Sequence, residues 1–347
     1  MRPYRLLLID HRSSHHAGPS GYGRLVDFVD AEVIPERDLS FVPWRLRRAF
    51  ARRRGGSYST TSFSKELALL GRMLEPSRGI AHFLNTEPDF HYTGWWSRAL
   101  GWRTVGTFHK PPSQFASVFP EPSVLRKLDG AICVASSQVS AVKELVQHDR
   151  VWFAPHGVDT EFFQQPADTL REREQVLLFV GSHLRDFSTL LRVAELLEER
   201  NELARIVAIG PQRHEAEIPK HARITQLGDI SDESLRSWYQ RAAVLLMPLN
   251  DSTANGAILE GISCGTPVVV TDVGGVRDYL TSDCATFTRP GDAEAMTTAA
   301  IRIATDAALR KRMSASARKQ SLRFSWPRVA TRIKEIYSML LEEQHPG

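Results

Sequence analysis

Residues 251–275 read DSTANGAILEGISCGTPVVVTDVGG. A turn of small polar residues leads into a short helix-like stretch through Ile258 and Leu259, Gly265-Thr266-Pro267 stops it, and an apolar run ends at Asp272 before Gly274 and Gly275. A run that is apolar on both faces suits a parallel strand buried between helices. Because another apolar run, 244–247, stands just upstream, the whole stretch reads as strand, turn, helix, strand.

The same rhythm extends in both directions. Further strands are expected at 4–9, 80–84, 104–108, 130–135 and 151–154 in the first half, and at 176–180, 205–209, 224–227, 244–247, 267–271 and 285–288 in the second. Two sheets are implied. Ser188 is placed to cap a helix carrying Leu190, Val193, Ala194 and Leu197, and Ser231 to cap one carrying Leu235, Trp238, Tyr239 and Ala242. The segment PHGVDTEFFQQP, 155–166, breaks the rhythm, so a boundary is expected near 157–175. The closing helix from Trp326 has no later strand to pack on and is expected to return to the first domain. Residues 36–62 read as a long mobile loop with one basic helix.

Length and composition agree with this organisation. The chain has 347 residues, 42% hydrophobic and 24% charged, with 22 Gly and 19 Pro, which excludes collagen, coiled coil and wholesale disorder. The apolar run near the N-terminus is too short for a membrane span or a signal-peptide core. Cys133, Cys264 and Cys284 lack metal-ligand spacing, so no metal site is expected and a reducing cytoplasm fits. Residues 1–160 carry 21 Lys plus Arg against 15 Asp plus Glu, and the remainder 23 against 25. Arg45, Arg47, Arg48, Arg52, Arg53 and Arg54 form an acid-free run beside Trp44, Leu46 and Phe50. Two readings of that run stay open: an anionic membrane surface, or the solvated face of an ordinary helix.

Open parallel sheets bind ligands at the carboxyl ends of their strands, and four groups fall there. Gly18, Gly21 and Gly23 lie in the loop after the first strand, where backbone N–H groups can approach an anion. The spacing matches neither a dinucleotide fingerprint nor a P-loop, which disfavours a dehydrogenase. His109 stands at the tip of the strand ending at Phe108, where an imidazole can meet a substrate hydroxyl. Gly181 and Arg185 follow another strand, Gly permitting close backbone approach and Arg offering paired donors to a diphosphate. In the stretch quoted first, Glu260 is placed to accept hydrogen bonds from both ribose hydroxyls. Backbone amides near Asn255, Gly256 and Ala257 face the region a phosphate or sugar would occupy.

The segments VLLFVGSHLRDFSTLL, RITQLGDISDESLRSWYQRAAVLLMPL and GAILEGISCGTPVVVTDVGGVRDYL, with TVGTFHKPP and VWFAPHGVDTEFF earlier and FSWPRVATRIKEIY at the close, resemble the retaining glycosyltransferases of the GT-B fold, family 4, glycosyl transferases group 1. The resemblance implies an α/β protein of two Rossmann-like domains with a cleft between them: 1–160 on the acceptor side, 161–325 for the nucleotide sugar, and 326–347 returning to the first. It implies transfer from a UDP- or GDP-sugar to an acceptor hydroxyl, glycan or lipid-linked, with no further cofactor, in the cytoplasm or at the inner face of the membrane.

Position by position, it gives Glu260 the role of the second acid of the E-x7-E motif, on the ribose. His109 is set near the transferred sugar, and Gly21 and Gly23 near the diphosphate. The backbone of Gly228, Asp229 and Ile230 is set near the base. Two departures stand out. The first acid of that motif falls on Ser252, with Asp251 one residue earlier, and the family's Arg and Lys after the strand are replaced by Ser182 and a single cation, Arg185. An epimerase, a phosphorylase or a sugar-nucleotide-binding protein without turnover are the alternatives on the same fold.

Overall fold

The computed structural model describes residues 4–10, 21–35, 43–52, 58–166, 173–210 and 218–342. They form two compact units, one comprising 4–10, 22–156 and 327–342, the other Gly21 and 157–326.

The first unit is built on six parallel strands: β1 (Arg5–Ile9), β2 (Glu32–Val33), β3 (Gly79–Phe83), β4 (Trp102–Phe108), β5 (Gly130–Cys133) and β6 (Val151–Phe153). Their order is β2-β1-β3-β4-β5-β6, with Leu7 opposite Ala81 and Ile9 opposite Phe83. The order reverses direction between β1 and β3, which puts the crevice of this sheet beside Asp10 and Leu84. β2 is the one strand the sequence reading lacks; its two residues include an acid and leave no apolar run to recognise.

Helices α1 (Trp44–Arg52), α2 (Thr60–Met73), α3 (Thr86–Asp89), α4 (Phe115–Val118) and α5 (Val139–Val146) belong to this unit. α2 opens on a capping box between Ser59 and Ser62. Of the basic run, Arg45, Arg47, Arg48 and Arg52 lie on α1, and Arg53 and Arg54 fall outside the described residues. Trp44, Leu46 and Phe50 are exposed to 57%, 52% and 43%, although Phe50 also stacks on Phe63 of α2 with ring centroids 5.0 Å apart.

The second unit has its own parallel sheet: β7 (Glu174–Val180), β8 (Arg205–Ile209), β9 (Ile224–Leu227), β10 (Ala242–Met247), β11 (Val268–Thr271) and β12 (Ala285–Thr288). The order is β12-β11-β10-β7-β8-β9, so direction reverses between β7 and β10. Both faces are covered. Val176, Leu178 and Val180 of β7 pack into one apolar cluster, Leu177 and Phe179 into the other, which is why the strand is a continuous apolar run.

The helices here are α6 (Phe187–Glu199), α7 (Asp232–Arg241), α8 (Gly256–Ser263), α9 (Val276–Tyr279), α10 (Ala293–Thr305) and α11 (Ala307–Ser321). Ser231 caps α7, and Asn255 caps α8. α6 starts earlier than the sequence reading has it. Asp186 is the cap, accepting from the Thr189 amide at 3.0 Å, and the Ser188 hydroxyl donates to the same carboxylate at 2.6 Å instead of capping.

The last helix, α12, covers Trp326–Glu342. Its residues 327–342 group with the first unit, where Ile333, Ile336 and Tyr337 are fully buried.

Candidate functional site

In the second unit the loops after β7 and β10 meet at the point where strand order reverses. They are stitched together: the Asp186 amide donates to Pro248 O at 3.0 Å, the Asn250 amide to Leu184 O at 3.0 Å, and the Asn250 side chain to Arg185 O at 3.0 Å. Gly181 takes φ +85° and Leu184 φ 58°, both left-handed, and this double reversal folds the loop back on its own strand.

Arg185 follows that turn. Its Nε and Nη2 both donate to Val180 O at 3.0 and 2.8 Å, its Nη1 to His183 O at 3.0 Å, and its Nη2 lies 3.4 Å from the side-chain oxygen of Asn255. No carboxylate among the described residues forms an ion pair with it. Burial pushes its pKa down to about 10, leaving it charged at neutral pH. Most of the guanidinium is engaged by loop carbonyls, and the side chain braces the start of α8 through Asn255.

Glu260 lies on the fifth position of α8 and is 7% exposed. Its Oε2 accepts from the Tyr239 hydroxyl of α7 at 2.9 Å. Oε1 would stand 3.7 Å from a Cβ at Gly256, so the carboxylate turns back over the first turn of its helix, as long helical side chains do. Gly256 and Ala257 form that first turn, and the Asn255 side chain accepts from the Ile258 amide at 3.3 Å. Burial and the Glu260 carboxylate raise the Tyr239 phenol well above its ordinary range, so it remains a donor.

The turn before α8 packs on the glycine pair after β11. Gly275 N–H donates to Ser252 O at 2.8 Å, and a Cβ on Gly274, where φ is +52°, would stand 2.0 Å from that same carbonyl. Asp251 Oδ1 accepts from the Ser252 amide at 2.8 Å, while the Ser252 hydroxyl, 3% exposed, donates to Thr253 O at 3.1 Å. The position of the first acid thus holds a buried neutral hydroxyl turned onto backbone. Gly228, Asp229 and Ile230 follow β9; a Cβ at Gly228 would meet nothing within 4 Å, and Ile230 packs against the core.

In the first unit, His109 follows β4, but its ring is not loose at the strand tip. Nε2 lies 2.8 Å from Leu84 O, and since a carbonyl can only accept, this nitrogen carries the proton. Burial lowers its pKa, with Glu87 working in the opposite direction. Glu87 Oε1 accepts from the His109 and Lys110 amides at 2.5 and 2.8 Å, fixing the loop that carries the imidazole. Tyr22 packs edge-on to His109, centroids 4.8 Å apart, and Gly23 lies against the Asp10 side chain, so close that a Cβ would stand 2.9 Å from its carboxylate oxygens. Gly21 has φ +99° and groups with the second unit.

Sequence reasoning lacks Glu87, Tyr22 and Tyr239. Glu87 had a signal, an acid in the loop right after an expected strand. Tyr239 had none, because it reaches Glu260 across 21 residues from another helix. Among the described residues no cluster of His, Cys, Asp and Glu could hold a metal ion, and no helix is long and apolar enough to cross a membrane.

A family model described as "Glycosyl transferases group 1" matches residues 174–306, which include β7 to β12. A D-inositol 3-phosphate glycosyltransferase of Pseudarthrobacter chlorophenolicus is 30% identical over 44% of this chain and 42% of its own. An MMP alpha-(1->4)-mannosyltransferase of Mycolicibacterium hassiacum is 25% identical over 70% of this chain and 59% of its own. The chain thus spans about three fifths or less of these relatives' length. Among solved structures, sucrose-phosphate synthase from Thermosynechococcus elongatus superposes with a TM-score of 0.69 at 17% identity, covering 98% of this chain and 100% of that one. Anabaena HepE, in complex with UDP-glucose, gives 0.68 at 15% identity over 96% and 99%. The fold is that of GT-B glycosyltransferases, and within it residues 174–306 are similar to the glycosyl transferases group 1 family.

Proposed function

We propose that the protein is a retaining glycosyltransferase that moves a sugar from a UDP- or GDP-sugar to an acceptor hydroxyl. The observation that carries this reading is the junction at the strand reversal of the second unit, where the Gly181 loop, the α8 N-terminus and the inward-turned Glu260 converge. Loops at such a reversal, together with a helix N-terminus, suit a diphosphate, and a buried carboxylate one helical turn away suits a ribose.

In this reading Glu260 accepts from the two ribose hydroxyls, and Gly228, Asp229 and Ile230 line the base. Backbone amides of the Gly181 loop and of Gly256 and Ala257 hold the diphosphate. Arg185 contributes its charge and its brace on Asn255, Gly21 and Gly23 approach the diphosphate, and the first unit, with His109, serves the acceptor and the transferred sugar. The acceptor oxygen attacks the anomeric carbon on the face from which the diphosphate leaves. The carbon–diphosphate bond breaks as the new glycosidic bond forms, and the acceptor's proton passes to a departing phosphate oxygen. The protein acts by positioning and by stabilising developing negative charge. The enzyme works in the cytoplasm, and the basic helix α1 brings it to an anionic membrane surface where a lipid-linked acceptor is within reach.

The buried Ser252 hydroxyl favours a second reading, a protein that holds the sugar nucleotide without turnover. A panel of UDP- and GDP-sugars in thermal melts tests both, since a ligand of the folded state raises the melting temperature with its concentration. Stabilisation by one class, lost in Glu260→Ala, and an NMR spectrum of product with the donor's anomeric configuration are expected. No stabilisation by any sugar nucleotide overturns the proposal, and stabilisation without turnover on any acceptor leaves the second reading.

A further inference from the structure

At the carboxyl ends of β3 and β4 the first unit carries a small pocket, open to solvent, between α3 and the segment that follows α4. Its apolar side is held by rings anchored on the strand ends. Phe90 packs edge-on to Phe83 of β3, centroids 5.0 Å apart, and Phe119 lies 5.7 Å from Phe108 of β4. Both are buried, at 4% and 8% exposure, so this wall is in place before a ligand arrives.

The polar side is made of acceptors. Glu87 and Glu121 bring carboxylates, which can only accept. The Tyr58 hydroxyl commits its proton to Glu66 Oε2 at 2.6 Å, and burial, together with that carboxylate, pushes its pKa far up, so its oxygen has only lone pairs left to offer. His91 completes this side, and among the described residues that line the pocket there is no lysine or arginine. Glu87 also ties the pocket to the proposed transfer centre, because its Oε1 holds the His109 and Lys110 amides at 2.5 and 2.8 Å.

A ligand for these walls presents donors on one edge and an apolar face on the other. A neutral sugar ring does so: its hydroxyls donate to carboxylates, and its C–H face lies on phenyl rings. A phosphate brings further acceptors and like charge to two carboxylates, and is refused. We propose that this pocket is the acceptor subsite and that it takes an unphosphorylated sugar ring, with Glu87 and Glu121 accepting from its hydroxyls and Phe90 and Phe119 against its apolar face. The proposal rests on the glycosyl-transfer reading for the reaction, though not for the binding. Because the pocket is small, it reads one ring, and the rest of a larger glycan or glycolipid stays outside.

Methyl glycosides of glucose, mannose and galactose, each beside its 6-phosphate, are the probes, read by saturation-transfer NMR on the ligand-free full chain. At least one neutral glycoside receives saturation from the wild type, and its 6-phosphate receives less. Glu121 is half-buried, so it is the position to vary with least disturbance of the fold. Glu121→Ala weakens the neutral glycoside about tenfold, as expected for a lost hydrogen bond to a charged group. Glu121→Arg supplies paired donors and reverses the preference, so that the 6-phosphate binds better than the neutral glycoside. No saturation of any neutral glycoside, a wild type that binds the 6-phosphate equally or better, or a preference unchanged in Glu121→Arg overturns the proposal.

Turnover provides the second readout. With the sugar nucleotide that stabilises the protein as donor, the wild type glycosylates the neutral ring it binds, and Glu121→Ala raises KM for that acceptor about tenfold while kcat moves less. A loss confined to kcat overturns the subsite. Should neutral glycosides bind as above and none be glycosylated, the proposed function fails, and the pocket stands as a sugar-binding site.

Discussion

Tyr239→Phe removes one oxygen from the second unit and should be felt at the ligand site. The Tyr239 hydroxyl donates to Glu260 Oε2 at 2.9 Å, and both side chains are buried, Glu260 at 7% exposure. A hydrogen bond to a charged group contributes about 1.5–3 kcal/mol, and losing one partner in a buried place leaves the other desolvated. The phenyl ring still fills its place beside Phe163, centroids 6.1 Å apart, so the cavity cost of a large-to-small change is absent. With a urea slope of about 2 kcal/mol per molar, a loss of about 2 kcal/mol lowers the unfolding midpoint by about 1 M. In the proposed reading Glu260 faces a ribose, and without the Tyr239 hydroxyl to hold its angle the affinity for a sugar nucleotide should fall about tenfold, or about 1.4 kcal/mol. Urea titration followed by tryptophan fluorescence reads the first effect, and isothermal titration with the stabilising sugar nucleotide the second. A midpoint and an affinity both equal to those of the wild type would refute the reasoning.

Gly274→Ala places a methyl 2.0 Å from Ser252 O at φ +52°; the backbone conformation alone costs about 1 kcal/mol, and displacement of the turn at Asp251 and Ser252 should abolish donor stabilisation in thermal melts. Stability should fall on acidification from about pH 6.5 to about pH 5. His82, His109 and His148 are held below the ordinary 6.5 by burial, so the unfolded chain binds protons that the folded chain refuses. Their contribution is complete above 6.5 and declines below it by up to about 1.4 kcal/mol per pH unit for each fully shifted group. Glu66, pushed up by burial, opposes them as one group against three; a urea midpoint that is flat over this range refutes the assignment. The double charge reversal Arg45→Glu, Arg48→Glu should release the protein from phosphatidylglycerol-containing vesicles in flotation, at about 1 kcal/mol per cation; wild-type protein that does not float with such vesicles refutes the membrane role of α1.

The strands were legible because they are parallel and covered on both faces. Val176 to Val180 alternate between two clusters, so every residue is apolar and the run announces itself. β2 escaped for the opposite reason: two residues at a sheet edge carry no pattern. The start of α6 was misread because Asp186 and Ser188 are both good caps, and only the fold decides which of them faces the Thr189 amide. Glu260 stood out in the sequence as an acid between Leu259 and Gly261, and its burial is what those neighbours suggest. Arg185 shows the limit. Its type and place on the chain point to an anion, but the left-handed backbone at Gly181 and Leu184 turns the guanidinium onto Val180 O, and φ values cannot be read from residue type at Leu184.

The grouping of residues 327–342 with the first unit sets an order of assembly at the ribosome. Strands β1 to β6 are synthesised first, yet Ile333, Ile336 and Tyr337, which are buried in the same unit, emerge only after the entire second sheet has been made. Until then His82 lacks the Tyr337 phenol, 2.6 Å from its Nδ1, and the apolar surface awaiting α12 is bare. The earlier-born unit must therefore be the later one to mature, exposed to proteases and chaperones for as long as translation of residues 157–326 takes.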